Sequence, residues 1–229
     1  MSDWQPKRFW KQAQAEACDG GFTVKLDGRP VRTPAKAALI LPTQAMADAI
    51  AAEWDAQGEL VDPRVMPVTR GANAAIDKVR AQRDEVIALL AEYGDSDLLC
   101  YRAAGPDGLI KRQAAAWDPP LDWAAETLNA RLFVCEGVMH VAQKPAALAA
   151  LTAQVAAFDD FALAAVHDLI SLSGSLILAL AVTKDAITVE KAWAISRVDE
   201  HWQMEHWGED EAAVAAEQIK KTAFMDAAR

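Results

Sequence analysis

The sequence has few cysteines and no long apolar run, and both scarcities narrow the class of protein it can encode. Its three cysteines, Cys18, Cys100 and Cys135, are far apart and odd in number, so no disulfide framework is expected and a reducing compartment is indicated. The longest apolar run, Leu169 to Val182, is shorter than the roughly 20 residues that a membrane-spanning helix needs. We therefore expect neither a disulfide-stabilised secreted fold nor insertion into a membrane.

Positive charge is also scarce, since 23 Lys and Arg residues face 33 Asp and Glu residues and the formal net charge is −10. Such a chain repels phosphate backbones, which excludes nucleic acid as an expected partner. A basic protein surface would instead be attracted, and the field would speed encounter more than it would tighten binding. Met1-Ser2-Asp3-Trp4 has neither the apolar core of a signal peptide nor the Arg-rich character of a transit peptide, so we expect a cytoplasmic protein.

Motifs that carry chemistry are missing as well. The glycine pairs form neither of the phosphate-binding patterns G-x-G-x-x-G and G-x-x-x-x-G-K-[ST], and the serines at 171–175 form no nucleophile elbow. Those serines are better interpreted as bonded back to helix carbonyl groups or as lying at a helix–helix contact. We predict no catalytic residue, no metal site and no cofactor. The alternative is a small hydrolase that uses His167 and Asp168, or a metal-dependent enzyme that uses His201 and Glu205, which share a helix face at i, i+4.

What the chain does contain is a change of pattern near residue 66. Residues 8–41 alternate with a period near two around the turn Asp27-Gly28, which predicts an antiparallel meander with residues 31–33 on its edge. Thr43 then begins a helix that can cover the sheet, and prolines bound the connector that follows. The sequence predicts an α+β fold, with a small antiparallel β-rich N-terminal domain at 1–66 and a mainly α-helical domain at 67–229.

The second domain reads as a series of helices joined by short loops. Residues 161–183 are apolar nearly all round, so their helix should lie at the centre of this domain. Residues 132–141 are rich in branched and aromatic side chains and predict a strand or an extended arm. The other predicted helices cover residues 72–93, 109–117, 121–131, 145–158, 188–207 and 211–225, with Asp118-Pro119-Pro120 as an interruption.

The stretch Arg197–Asp210 combines tryptophans, carboxylates and half of the histidines, and as a helix it would display two stripes. One stripe, Ile195, Val198 and Trp202, suits a core contact against the 161–183 helix. The other mixes aromatic and acidic residues as partner surfaces do, although a solvated helix face is the alternative. Arg112 likewise suits either a partner contact or an intramolecular ion pair beside a helix break. The mixed stripe consists of Trp193, Ser196, Glu200, Gln203 and Trp207, with Asp199 beside it and Gly208 as the helix end.

Several short motifs, in order along nearly the whole chain, carry a resemblance to one family. The sequence resembles the ATP-twelve family, which are assembly chaperones for the catalytic head of the F-type ATP synthase. The matching motifs are Arg8-Phe9-Trp10-Lys11, Leu26-Asp27-Gly28-Arg29-Pro30, Ala52-Glu53-Trp54, Asp97-Leu98-Leu99-Cys100-Tyr101-Arg102, Gln113, Trp117-Asp118-Pro119, Gly174-Ser175-Leu176, Asp199-Glu200, Gln203 and Trp207-Gly208.

The resemblance implies a non-enzymatic protein that binds the unassembled α subunit of the synthase and shields its subunit interface. The family's acidic pair matches Asp199 and Glu200, and together with Gln203 and Trp207 of the mixed stripe these are the predicted partner-binding residues. No cofactor is implied. The family includes bacterial members in the cytoplasm and organellar relatives in the mitochondrial matrix. The chain departs from the family pattern at Ala212, where an acid is expected. No large apolar helix face is left over in the sequence, so we expect a monomer when the chain is free.

Overall fold

A computed structural model describes residues 7–229, and the Met1–Trp4 stretch considered above lies outside the described residues. Contacts along the chain divide it into two compact units, the first ending at Arg83 and the second running from Asp84 to Arg229. Residue 66, where the sequence places the domain boundary, therefore lies inside the first unit. Which boundary separates independently folding domains stays a prediction.

The first unit contains the small antiparallel sheet, formed by β1 (Ala13–Cys18), β2 (Gly21–Leu26) and β3 (Arg29–Pro30) in that order. Asp27 and Gly28 make the β2–β3 turn with φ of 47° and 81°, as their tolerance of positive φ predicts. The predicted meander is confirmed. Its third strand lies two residues earlier than predicted, because a two-residue turn makes pairing begin directly after Gly28.

Two helices complete this unit, and both are held by side-chain hydrogen bonds. Helix α1 (Gln44–Asp55) begins at Thr43, whose hydroxyl accepts from the backbone N–H of Met46 at 3.2 Å, which confirms the predicted cap. The carboxylate of Glu53 on α1 accepts from the first free N–H groups of α2 (Pro67–Asp77), at 2.7 Å from Val68 and 2.8 Å from Thr69. Helix α2 is therefore anchored at its N-terminus by α1.

The single helix predicted over 72–93 is wrong, because α2 ends at Asp77 and α3 (Arg83–Glu92) begins only after a 3₁₀ turn. The carboxylate of Asp77 accepts from the Thr33 hydroxyl at 2.6 Å and from the Ala35 N–H at 3.0 Å. These two hydrogen bonds tie the end of α2 to the loop that follows the sheet. Helical periodicity carries no information about such a tertiary contact, so the prediction ran through the break.

The regular elements of the rest of the chain are helices and two short parallel strands, and the predicted α+β class is confirmed. Within it, α7 lies at the centre, since all of its residues from Leu176 to Ala181 are buried. The elements are β4 (Tyr101–Arg102), α4 (Asp107–Thr127), β5 (Cys135–Glu136), α5 (Pro145–Ala156), α6 (Asp160–Ser173), α7 (Leu176–Thr183), α8 (Val189–Ser196), α9 (Val198–Trp207) and α10 (Glu211–Ala227).

The central helix predicted over 161–183 is in fact two helices. Gly174 adopts φ of 75° and ends α6, and the Ser175 hydroxyl then caps α7 by accepting from the Leu178 N–H at 3.0 Å. The buried carboxylate of Asp97 accepts a further bond from the Ile177 N–H at 3.0 Å. Ser171 donates to the His167 carbonyl at 2.7 Å and Ser173 to the Leu169 carbonyl at 2.6 Å, so these two serines are bonded back to their helix as predicted, whereas Ser175 is a cap.

The interruption predicted at Pro119 and Pro120 is wrong, because helix α4 runs unbroken through both prolines. Proline removes a backbone donor but does not forbid a helix whose two halves are fixed by packing. Trp117 and Leu121, on either side of the prolines, are both buried and hold the halves to one core. No helix among residues 7–229 combines the length and the hydrophobicity needed to cross a membrane.

Candidate partner-binding surface

The Arg197–Asp210 stretch begins at a helix break that the sequence does not predict. Helices α8 and α9 meet at Arg197, which has φ of −108° and ψ of 17°. The Arg197 guanidinium donates to the Leu172 carbonyl at 3.2 Å, lies 4.9 Å from the centre of the Trp193 ring and pairs with Glu200 at 2.8 Å. Arg197 thus satisfies a free carbonyl near the end of α6 and holds the break in place.

The break divides the predicted mixed stripe. Trp193 and Ser196 lie on α8 and are buried, so their assignment to an exposed stripe is wrong. Glu200, Gln203 and Trp207 lie on α9 and are exposed. A stripe drawn with constant helical spacing fails here because the backbone turns at Arg197, which changes the direction of every later side chain.

One face of α9 is bound to α4. Asp199 accepts from the Gln113 side-chain amide at 2.7 Å, and the same amide accepts from the Ala103 N–H at 2.8 Å. Gln113 is almost completely buried and Asp199 is half-buried. Asp199 therefore fixes the first turn of α9 on α4. Its carboxylate faces α4, whereas the side chain of the next residue, Glu200, is on a different face of α9.

The same contact continues one and two turns further along α9. The Arg112 guanidinium lies 4.9 Å from the centre of the Trp202 ring. The Trp202 ring also stacks on His206, with 4.2 Å between the two ring centres. Arg112 also donates both of its terminal nitrogens to Glu205, at 2.7 and 2.8 Å, and this hydrogen bond lowers the pKa of the Glu205 carboxyl. The prediction that Trp202 packs on the 161–183 segment is wrong, because its ring lies on α4. The predicted intramolecular ion pair of Arg112 is confirmed, but the helix break predicted beside it is absent, because α4 is unbroken.

The opposite face of α9 borders an open cleft of about 500 Å³ between α9 and α10. Trp207 stands at its rim with 79% of its surface exposed, in front of Gly208, whose φ of 90° ends the helix as predicted. An indole this exposed gains little packing energy in the free chain. The cleft is lined by Arg197, Glu200, Gln203, Met204, Trp207, Gly208, Asp210, Ala213, Ala216, Glu217 and Lys220.

Helix α10 forms the second wall and is attached mainly through its C-terminal half. Phe224 is fully buried and lies 5.4 Å from the Trp193 ring centre. Towards the N-terminus, Asp210 caps the helix by accepting from the Ala212 N–H at 2.8 Å, and His201 lies 3.2 Å from Glu217. The first turns of α10 are otherwise exposed, so this wall keeps its shape through the cap and one hydrogen bond to α9.

The side chains that line the cleft carry charges of both signs, three carboxylates and two basic groups. Glu200 pairs with Arg197, Glu217 lies beside His201, and Asp210 caps α10, so each acid has a partner inside the chain. Their oxygens remain partly open to solvent and can accept further hydrogen bonds. An apolar rim beside partly satisfied acids suits a protein surface that offers both apolar side chains and N–H donors.

Of the four predicted site residues, the structure brings together three. Glu200, Gln203 and Trp207 line one cleft, whereas Asp199 supports α9 from behind. The second wall is missing from the sequence-based prediction, although Asp210 followed by an alanine-rich segment was a visible helix start. Arg197 was also missed as a site residue, and its i, i+3 spacing to Glu200 was the available signal.

The residues of the enzyme alternative do not assemble into a catalytic arrangement. Asp168 accepts from His167 at 3.1 Å and raises the pKa of that imidazole, but both side chains are exposed, and the Ser171 hydroxyl donates to the backbone carbonyl of His167. His201 and Glu205 bind different helices and do not converge. Within residues 7–229 no group of three or more His, Cys, Asp or Glu side chains could hold a metal ion.

A small antiparallel sheet unit followed by a helical unit with an open two-helix cleft defines the class, a two-unit α+β protein with a helical surface site. The family follows from comparison with known proteins. The family model described as ATP12 chaperone protein matches residues 7–125, and the chain belongs to that family.

Solved structures agree along almost the whole chain. The crystal structure of Atp12 from Paracoccus denitrificans is similar with a TM-score of 0.94 and 49% identity, covering 97% of this chain and 96% of that one. The Atu1473 protein from Agrobacterium tumefaciens is similar with a TM-score of 0.91 and 46% identity, covering 97% and 85%. The mitochondrial protein atp12 of Schizosaccharomyces pombe is 24% identical, covering 93% of this chain and 78% of the yeast protein.

Proposed function

We propose that this protein is an assembly chaperone for the catalytic head of the F-type ATP synthase. It binds the unassembled α subunit and shields the surface that later meets neighbouring subunits. It works without catalysis or a cofactor, as a cytoplasmic monomer that releases its client on assembly. Membership of the ATP12 chaperone family supports the role, and the family resemblance supplies the identity of the client.

The observation that carries the proposal is the exposed indole of Trp207 at the rim of the α9–α10 cleft. Tryptophan is among the residues that contribute most to protein–protein binding, because it buries a large apolar area at a low cost in side-chain entropy. Its neighbours Glu200 and Gln203 offer polar groups around that contact. In this arrangement the client covers the indole while its N–H donors bond to the surrounding carboxylate and amide oxygens.

Asp199 has a different part in the same function. Its bond to the buried Gln113 sets the orientation of α9, and with it the direction of Glu200, Gln203 and Trp207. Asp199 is therefore a positioning residue, and loss of its carboxylate weakens client binding only by loosening the helix. This division separates the two neighbouring acids experimentally.

The test is co-purification of the α subunit, expressed without its β partner, with the tagged full-length chain. We expect Trp207→Ala and Glu200→Lys each to weaken the complex about tenfold or more while the melting temperature stays unchanged, because both side chains are exposed. Glu92→Lys on α3 is the matched charge reversal at an exposed acid outside the cleft, and it should bind as the wild type does. If abundant wild-type chain recovers no α subunit, the proposal fails.

A further inference from the structure

The loop of residues 133–141, called the apolar loop below, exposes an unusual amount of hydrophobic surface. Val138 is 90% exposed and Met139 77% exposed, and Phe133, Val134 and Val141 also face solvent. Glu136 is the one carboxylate among these nine residues, and the loop contains no Lys or Arg. Surface loops are usually polar, and an exposed group of large apolar side chains marks an interaction site.

Hydrogen bonds from Gln143 hold the two ends of the apolar loop together. The buried side-chain amide of Gln143 accepts from the Phe133 N–H at 2.6 Å and donates to the Phe133 carbonyl at 3.0 Å. The backbone N–H of Gln143 donates to Asp95 at 2.7 Å. These three hydrogen bonds close the two ends of the loop on each other and fasten them to the helical unit.

The middle of the apolar loop is fixed as well. Gly137 donates its backbone N–H to the Arg102 carbonyl at 2.8 Å, beside the short β4–β5 pairing. His140 lies between the Tyr101 hydroxyl and Asp95, at 3.2 Å from each. The exposed side chains of Val138 and Met139 are therefore carried on a backbone that is already ordered. A partner that binds them does not have to order the loop first, which favours binding.

The size of the apolar loop decides what can cover it. Its apolar side chains offer a few hundred Å² at most, which is the size of a functional surface patch. A stable dimer buries about 800 Å² on each partner, so two copies of this chain would not associate stably through this loop alone. A partner already held at another surface gains from a second small contact, because that contact forms at high effective concentration.

We propose that the apolar loop is a second docking contact for the client, and that it covers an apolar segment of the client's subunit interface. This inference rests on the proposed function, since the α9–α10 cleft provides the first contact. The near absence of charge on the loop selects for an apolar segment of the client. Two separated contacts would hold the exposed interface of the client more firmly than either contact does alone.

Photo-cross-linking in the complex of the full-length chain with the α subunit tests the contact directly. With p-benzoylphenylalanine in place of Met139 we expect a cross-link to the client. The same group in place of Leu89, a half-exposed apolar residue on α3, is the matched control and should give none. Cross-links from position 139 only to a second copy of this chain would overturn the proposal.

A binding measurement complements the cross-link. The double variant Val138→Ser with Met139→Ser should lower the affinity for the α subunit at least about tenfold and leave the melting temperature unchanged, because both side chains are exposed. Leu89→Ser should bind as the wild type does. If the wild type binds the client and the loop variant binds it with equal affinity, the second contact is refuted and the proposed function is not. If the wild type does not bind the client, the proposed function itself is refuted.

Discussion

Asp199 and Glu200 are adjacent carboxylates with different environments, and their environments assign them different roles. Asp199 is half-buried and accepts from a buried amide on α4, whereas Glu200 is exposed and pairs with Arg197 at the cleft. Buried hydrogen bonds are costly to leave unmade, while surface ion pairs contribute little. The sequence alone presents the two acids as an equivalent pair, because neither spacing nor composition separates them.

Alanine substitution should separate the two acids in a stability measurement. Asp199→Ala leaves the Gln113 amide without its acceptor and should lower the free energy of unfolding by about 1–3 kcal/mol. Glu200→Ala should change it by less than about 1 kcal/mol, since Arg197 keeps its carbonyl acceptor on α6. Urea denaturation of both variants at neutral pH is the measurement. Equal losses from the two substitutions would mean that Asp199 has no special structural role.

Asp97 is the second residue whose surroundings predict a measurable effect. Its carboxylate is completely buried and accepts from the backbone N–H groups of Leu99 and Ile177, both at 3.0 Å. Burial raises the pKa of Asp97 to about 6, and the two hydrogen bonds only partly oppose that rise. The folded chain therefore binds this proton more tightly than the unfolded chain does.

A raised carboxyl pKa makes stability fall with increasing pH. The contribution from the Asp97 proton is fully present below about pH 4, the unfolded pKa, and is lost as the pH rises through about 6. Asp97→Asn should remove this slope between pH 4 and 6, as measured by urea denaturation at several pH values. Asp122→Asn, at an exposed acid, is the control and should keep the wild-type slope. If Asp97→Asn keeps it as well, the carboxyl is ionised throughout this range.

At the scale of elements, the packing of α9 against α4 depends on a glycine in the first turn of α4. A Cβ added to Gly108 would lie 2.6 Å from Cη2 of Trp202, the ring that also contacts Arg112 and His206. A ring held on several sides cannot move away without disturbing its helix. Gly108 therefore allows α4 and α9 to approach closely, and this approach aims the cleft-facing residues.

Gly108→Ala should lower the free energy of unfolding by about 1–3 kcal/mol through this overpacking. Gly71→Ala on α2 is the matched control, because a Cβ there meets nothing within 4 Å. At that helical position alanine should raise stability by up to about 1 kcal/mol. Urea denaturation of the two variants gives the comparison. A gain in stability from Gly108→Ala as well would show that helix propensity, rather than the Trp202 contact, governs position 108.

The same elements show how far local sequence signals predict the fold. The Asp27-Gly28 turn and the Thr43 cap were predicted correctly, because each depends on residues within a few positions. The breaks at Asp77, Gly174 and Arg197 and the unbroken Pro119-Pro120 helix were not. Each of these depends on a partner distant in the chain or on burial, and periodicity cannot detect either.

The candidate site could likewise be predicted only where it depends on residues close together in the sequence. Glu200, Gln203 and Trp207 follow one another at helical spacing within a single helix, so their common face could be foreseen. The cleft also needs α10, which comes after a glycine turn whose direction the sequence does not determine. Asp199 was included by adjacency and family resemblance, and only its distant partner Gln113 reveals that it points elsewhere.

At the scale of the whole molecule, the position of the domain boundary can be decided by fragments. The sequence places it at residue 66, but α2 belongs to the first compact unit. A cut at 66 would separate Glu53 from the N–H groups of Val68 and Thr69, and would part Thr33 from Asp77. It would also expose the surface that α2 now covers, with its buried residues Thr69, Ala72, Ala75 and Ile76.

We therefore expect a fragment of residues 1–83 to unfold cooperatively, and a fragment of residues 1–66 to be less stable by roughly 3–5 kcal/mol or unfolded. The difference comes from the lost hydrogen bonds of Glu53 and Asp77 and from the apolar contacts of α2. Thermal denaturation followed by circular dichroism measures both fragments. The complementary fragments 84–229 and 67–229 serve as controls, because adding α2 to the helical unit should not raise its melting temperature. Equal stability of the 1–66 and 1–83 fragments would place the boundary at residue 66, where the proline-bounded connector predicts it.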